Sequence, residues 1–376
     1  ILTKMFENIS LDPKTIIDTI EKIKLTKIIA NDTLIIFDEI QACPRALTSL
    51  KYFMEQGPEY HVIASGSLLG VSYNRGNVSF PVGIEQRQLY PMTFLEFLHA
   101  INQETLINDI VKSYNTNCPI NIALHEILLE YLWQYISTGG FPECVLHFLN
   151  KQYNLIRDKQ SQIIEQYLND MSKYNTPINA NKSRLIYKNI SLQLNRDNKK
   201  FKFNCLNKDG RKRDYELSLN WLCQTGLVYQ VFNVDKITNY TLYNSTNDFK
   251  LYVNDVGLLL SMFNIDWQVF FKMINDNEIL KGAIIENYVN NELIAYGYKT
   301  SYWTSGGIAE VDFIESINGN IIPIEVKSSD NTKSKSLNRY IELYKPEYSI
   351  RLSTKNFGLK NNIKSIPLYA IFCLKA

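Results

Sequence analysis

Apolar and polar positions along this chain alternate with two periods, and the change from one to the other marks out its elements. Leu34 to Phe37 is an unbroken apolar run, and the carboxylates Asp38 and Glu39 follow at once. Such a run predicts a strand buried on both faces, as in open parallel α/β sheets. Pro44 suits the first turn of a helix, and Leu47, Leu50, Phe53 and Met54 then recur at helical spacing. Residues 60–64 predict a second strand, ending in Ser65, Gly66 and Ser67. Upstream, Ile16, Ile17, Ile20 and Ile23 stripe a helix that begins near Pro13. Thr93 and Glu96 stand at capping-box spacing before the apolar Phe94, Phe97 and Leu98.

From 101 to about 175 the helical period dominates. Leu124, Ile127, Leu128, Tyr131, Leu132 and Tyr135 form one stripe, and Gly139-Gly140-Phe141-Pro142 breaks it. A further helix is predicted over 153–174. Residues 176 to about 265 predict two helices, over 186–194 and 214–223, followed by strands at 228–231 and 250–253, the order of a winged-helix-like module. From 266 to 376 the pattern predicts a helix over 281–296, strands over 298–303, 309–314 and 321–327, a helix through Leu337 and Tyr340, and a last strand. On the 321–327 strand Ile322, Ile324 and Val326 face one way and Glu325 and Lys327 the other. Pro323 cannot donate to a ladder, which predicts pairing from Ile324 onward.

Composition narrows the function classes. A chain of 376 residues, 45% apolar and 21% charged, is long enough for two or three ordinary globular domains. A net charge of +2 provides no general field for nucleic acid, so any such contact must come from a local patch. The six Cys and four His show no metal-binding or redox spacing, and reduced structural thiols in a cytoplasmic protein are expected. No apolar run approaches the length of a membrane span, so no membrane partner is expected.

Two acidic groupings carry candidate chemistry. At the end of the 34–37 strand, one of Asp38 and Glu39 can hold Mg²⁺ and the other can orient or deprotonate a water; the plainer alternative is a strand end with two solvated acids. In the last segment, Asp312, Glu325-x-Lys327 and the helical Glu286 fit a restriction-endonuclease-like pattern. Phosphodiester hydrolysis needs carboxylates such as Glu286, Asp312 and Glu325 to hold Mg²⁺, and a lysine such as Lys327 to position water or neutralise charge. The alternative there is a strand with an internal ion pair. Between the helices of the 176–265 stretch, Lys199, Lys200, Arg211, Lys212 and Arg213 form a basic run that can meet DNA phosphates. A solvated loop anchored by Phe201 and Phe203 explains the same residues.

The texts LIIFDEIQACPRALTSLKYF, HVIASGSLLGV, SFPVG and LYPMTFLEFL resemble prokaryotic AAA-type ATPases that carry a C-terminal nuclease-like domain. The resemblance implies that Asp38 and Glu39 are a Walker B pair, that Ser65 and Ser67 lie where a sensor residue belongs, and that ATP and Mg²⁺ are cofactors. It also implies homo-oligomeric assembly as an expectation. Arg75 and Arg87 are candidate phosphate sensors, although Ile84 stands where the family often has an arginine after FPVG. No G-x-x-x-x-G-K-[ST] occurs in the chain. The phosphate cradle therefore lacks its backbone nest, lysine and hydroxyl, and weak or absent ATP binding by this polypeptide alone is expected.

The expected fold class is α/β in four parts: a partial P-loop-type parallel sheet over 1–100, a helical lid or linker over 101–175, a winged-helix-like module over 176–265, and a nuclease-like α/β domain over 266–376. Three functional readings follow: a nucleotide-dependent AAA-type switch, a Mg²⁺-dependent DNA endonuclease, and a non-catalytic DNA- or protein-binding module. The first is favoured.

Overall fold

The computed structural model describes residues 2–66, 83–234, 236–238, 241–243, 248–265, 270, 277–306, 308–328 and 335–375. These divide into two compact units that meet in sequence between Leu89 and Tyr90.

In the first unit, helices α1 (Leu2–Glu7) and α2 (Pro13–Lys24) precede strand β1 (Leu34–Phe37), helix α3 (Pro44–Gln56) and strand β2 (His61–Ala64). Asp12 caps α2 by accepting the Thr15 amide at 3.0 Å, and Pro13 occupies the first turn, where its missing N–H has no intrahelical partner to lose. Strands β1 and β2 pair in parallel, Leu34 opposite His61 through Phe37 opposite Ala64. Ile35 and Phe37 pack with Phe6, Ile16, Ile17, Leu47, Leu50 and Phe53. Arg45 ties α3 to the end of α1, its guanidinium donating to the carbonyls of Phe6 at 2.6 Å and Ile9 at 2.8 Å. The opposite face differs from the sequence expectation. Leu34 is 50% exposed, Ile36 61% and Ile63 53%, so β1 buries alternate residues only and β2 half-buries its own.

The second unit opens with a helical array: α4 (Phe94–Ala100), α5 (Glu104–Thr116), α6 (Ile122–Thr138), α7 (Pro142–Leu149), α8 (Tyr153–Lys173), α9 (Pro177–Leu194) and α10 (Lys212–Gln224). The capping box ahead of α4 is formed, Glu96 accepting the Thr93 amide at 2.7 Å and Thr93 accepting the Glu96 amide at 3.3 Å. Helix α6 stops at Gly139, whose φ of +76° suits glycine.

Strands β3 (Val228–Val234), β4 (Lys236–Thr238), β5 (Thr241–Tyr243) and β6 (Phe249–Val253) follow, then helices α11 (Val256–Met262) and α12 (Glu278–Ala295), strands β7 (Ser301–Thr304), β8 (Glu310–Ile317) and β9 (Asn320–Val326), helix α13 (Lys335–Tyr344), and strands β10 (Ser349–Ser353), β11 (Gly358–Lys360) and β12 (Ile363–Pro367). The hairpin β4–β5 stands apart, and the rest form an eight-stranded sheet in the order β11-β12-β10-β9-β8-β7-β3-β6. Strands β7, β8 and β9 are antiparallel neighbours, and α13 crosses to bring β10 parallel to β9. Strand β3 pairs with β7 in parallel, so strands from the 176–265 stretch extend the sheet of the 266–376 stretch. Pro323 is in register opposite Ile314 of β8, while the ladder to β10 starts at Ile324.

Helix α12 is buried nearly all round, including the polar Glu286, Asn287, Asn290 and Glu292. Buried polar groups need partners. Asn287 finds them on the edge strand β6, accepting the Val253 amide at 2.8 Å and donating to its carbonyl at 3.0 Å. No helix among the described residues is long and apolar enough to cross a membrane.

Candidate functional site

In the first unit the parallel register that sets Phe37 beside Ala64 also sets the next residues, Asp38 and Ser65, side by side. The Ser65 hydroxyl donates to the Asp38 carboxylate. Backbone bonds lock the pair in place, from the Ser65 amide to the Phe37 carbonyl at 2.9 Å and from the Ile40 amide to the Ser65 carbonyl at 3.0 Å. Glu39 turns away with a left-handed φ of 52°, and its carboxylate accepts from the side-chain Nε2 of Gln41. A non-glycine residue with positive φ is uncommon. Asp38 and Glu39 are both exposed. A carboxylate and a hydroxyl at neighbouring strand ends are the hard oxygen donors that suit Mg²⁺, and these residues fit that ion. Arg87 is paired with the adjacent Glu85 at 2.6 Å. Ser67 and Arg75 lie outside the described residues.

In the second unit a charged cluster gathers around α12 and the middle of the sheet. Strand β8 supplies Glu310 and Asp312, β9 supplies Glu325, Lys327 follows it, and α12 supplies Glu286. Glu325 and Lys327 pair at 2.6 Å. Asp312 accepts the Val326 amide at 2.8 Å. Burial lifts the Asp312 carboxyl well above the carboxylate range, and the nearby charges of Glu286 and Glu325 push it the same way. The four residues singled out in the sequence therefore act on one another.

They do not gather alone. Lys250, on β6, is fully buried, with its Nζ 2.6 Å from Glu310 and 3.5 Å from Glu286. Tyr252, two residues along the same strand, donates its hydroxyl to Glu286 at 3.1 Å. Lys199 forms a further ion pair with Glu286. Burial alone would raise the Glu286 carboxyl, but the ammonium groups of Lys199 and Lys250 more than reverse this and hold it at about 2. Among the described residues, no three His, Cys, Asp or Glu side chains form a group able to hold a metal ion. This donor set, filled by ammonium groups, does not fit the Mg²⁺ that the nuclease-like pattern would require.

Comparison with protein families adds to this geometry. Residues 1–98 match the model of an AAA domain. The match spans the first unit and supports an AAA-type ATPase family for this part of the chain. Residues 129–269 match a domain of unknown function (DUF8612), and residues 281–371 match another (DUF4143). No curated protein and no solved structure matches the chain. Asp38 and Ser65, both within the matched residues, are neighbours in space.

The basic run is dispersed over several roles. Lys199 is committed to Glu286, and Lys200 pairs with Asp248 at 2.9 Å. Lys212 opens α10, where the Arg211 amide is capped by Asp214 at 3.1 Å. Arg213 is 3.8 Å from Asp214, with its side chain 75% exposed. Sequence reasoning missed Lys250, Glu310 and the Lys199–Glu286 pair. The signal for Lys250 was present: a lysine within the apolar text Phe-Lys-Leu-Tyr-Val needs a buried counter-charge. It also missed Glu292, whose Oε1 accepts the Phe94 amide of α4 at 2.8 Å across nearly two hundred residues of chain.

Proposed function

We propose that this is an AAA-type nucleotide-binding protein in which Asp38 holds Mg²⁺, Glu39 orients or deprotonates the attacking water, and Ser65 reports the state of the bound nucleotide through Asp38. The observation that carries this reading is the Ser65–Asp38 hydrogen bond at the carboxyl ends of two parallel strands. Ligands of open α/β sheets bind outside those ends. The chemistry is in-line attack of water on a terminal phosphoryl group, with the metal neutralising developing charge. These residues supply the metal-and-water side of such a site. The G-x-x-x-x-G-K-[ST] cradle that would grip the phosphates is not among them.

The C-terminal region serves as the effector. Its order of helix, three strands, helix and strand, with acids at Asp312 and Glu325, supports a restriction-endonuclease-like domain. The pairing of its carboxylates with lysines favours a binding role over hydrolysis. Calorimetric titration of the chain with ATP tests the nucleotide reading. Weak binding that requires Mg²⁺ and disappears in Asp38→Ala is expected. Binding that is indifferent to both Mg²⁺ and Asp38 overturns it.

A further inference from the structure

We infer that Lys250 is the resident cation of the C-terminal acidic cluster: its ammonium group takes the seat between Glu286 and Glu310 that a divalent ion would take in a hydrolytic site, and the domain keeps its carboxylates together without metal. This rests on the nuclease-like reading of the C-terminal region and not on the nucleotide reading of the AAA-like unit.

The argument begins with the strand that carries Lys250. Side chains on a strand alternate between faces, so Lys250 and Tyr252 share one face of β6, and both meet Glu286. Lys250 is 0% exposed, and it lies 5.0 Å from the centre of the Tyr302 ring. Burying an ammonium is costly unless it is paired and hydrogen-bonded. Here the cost is offset by Glu310 at 2.6 Å and Glu286 at 3.5 Å. Side chains of β6 and β8 and of α12 converge on a single buried positive charge.

At least one carboxylate oxygen of each of Glu286, Asp312 and Glu325 is already engaged. Glu286 receives Lys199 on Oε1, and Tyr252 and Lys250 on Oε2. Asp312 receives the Val326 amide on Oδ2, and Glu325 receives Lys327 on Oε1. Mg²⁺ demands a near-octahedral shell of oxygens at close range, and here Glu286 turns both of its oxygens to N–H and O–H donors. Cations already face these acids: Lys199 and Lys250 pair with Glu286, Lys250 with Glu310, and Lys327 with Glu325. Carboxylates paired in this way have little to gain from a divalent ion. In a hydrolytic site, by contrast, mutually repelling carboxylates are what attract the metal.

The test compares wild type with Lys250→Met, which keeps the length and apolar stem of the side chain. Both are made in an Asp38→Asn background, so that the AAA-like unit does not report metal. Thermal unfolding is followed with EDTA and with millimolar Mn²⁺. The upper unfolding transition of the chain with Lys250 is expected at the same temperature in both. Lys250→Met leaves buried carboxylates uncompensated and is expected to melt on the order of 10 °C lower in EDTA, with Mn²⁺ recovering most of the loss. Adding Glu286→Gln to Lys250→Met is expected to abolish that recovery. If Lys250→Met does not fold, Mn²⁺ titration of the chain with Lys250 decides alone: no binding supports the inference. Submillimolar Mn²⁺ binding that is lost on Glu286→Gln overturns it, as does a Lys250→Met loss that Mn²⁺ leaves untouched. Mg²⁺-dependent DNA nicking by the wild type that vanishes in Asp312→Ala overturns it too. A failed ATP titration leaves all these outcomes readable, because Lys250, Glu286 and Asp312 lie in the second unit and Asp38 is already replaced in the melting comparison.

Discussion

Glu292 illustrates how a single buried carboxyl can set the pH response of a fold. Burial lifts it to about 8 against an ordinary value of 4.5, although it accepts the Phe94 amide. Below about pH 4.5 the group is protonated in the folded and unfolded chain alike and costs nothing. Between about 4.5 and 8 only the folded chain keeps the proton, so stability falls as pH rises through that window. The full fall is on the order of 5 kcal/mol. Asp255, raised by burial to about 6 against the amides of Gly140, Leu258 and Gly257, adds a slope of the same sign, but only at lower pH. The range from 6.5 to 8 lies above the Asp255 value, and Asp312 and Glu315, which burial also raises well above the carboxylate range, slope both proteins alike, so the difference between wild type and Glu292→Gln isolates Glu292. Glu292→Gln retains an oxygen to accept the Phe94 amide and loses the titration. It should match the wild type near pH 5, exceed it in melting temperature near pH 8, and show a flatter curve between. Parallel curves for the two proteins from 6.5 to 8 would mean that Glu292 does not hold the proton.

At the scale of elements, the break between α6 and α7 shows why a turn can be readable in sequence while its purpose is not. Two adjacent glycines after a long apolar stripe predict a helix end, and the helix does end there. The reason lies in two segments distant along the chain, at Met92 upstream and Asp255 downstream. A Cβ at Gly140 would stand 2.1 Å from the Met92 carbonyl oxygen, and one at Gly139 would stand 2.4 Å from Asp255 Oδ1. The Asp255 carboxylate, which caps α11 through the Leu258 amide at 2.9 Å, reaches back to the Gly140 amide at 2.7 Å. Gly140→Ala should cost at least the upper end of the ~1–3 kcal/mol typical of overpacking. Gly282→Ala, in the interior of α12 and 3.4 Å from only the tip of Lys199, should stabilise by about 0.5–1 kcal/mol. Chemical denaturation of the two variants checks the contrast, and equal effects would discredit the close-approach explanation. The same division runs through the rest of the chain. The Thr93–Glu96 cap and the Asp38–Ser65 strand ends depend on local text and short crossovers, and both could be read. The β3–β7 pairing and the Lys250–Glu286 contact join distant segments, and no local period encodes them. The exposed face of β1 was misread because an apolar run of four residues carries no alternation to reveal it.

For the whole molecule, the two units differ in how much they have to hold them together. The second unit buries a central helix against an eight-stranded sheet and closes its distant ends with Glu292, Asp255 and Asn287. Among the described residues of the first unit, the sheet has two strands, and Leu34, Ile36 and Ile63 lie half or more exposed on it. Two strands are marginal unless helices cover them, and a smaller domain buries a smaller fraction of its surface. The first unit should therefore unfold at lower temperature, giving two calorimetric transitions rather than one. Hydrogen exchange should assign the lower transition to amides of β1, β2 and α3, with those of β8, β9 and α12 surviving to the upper one. If Mg²⁺ with ATP binds at Asp38, saturating amounts should raise only the lower transition, because a ligand stabilises the unit that binds it. The Lys250→Met substitution should lower only the upper one. A single transition carrying both responses would show that the boundary at Leu89 and Tyr90 does not separate independent folding units.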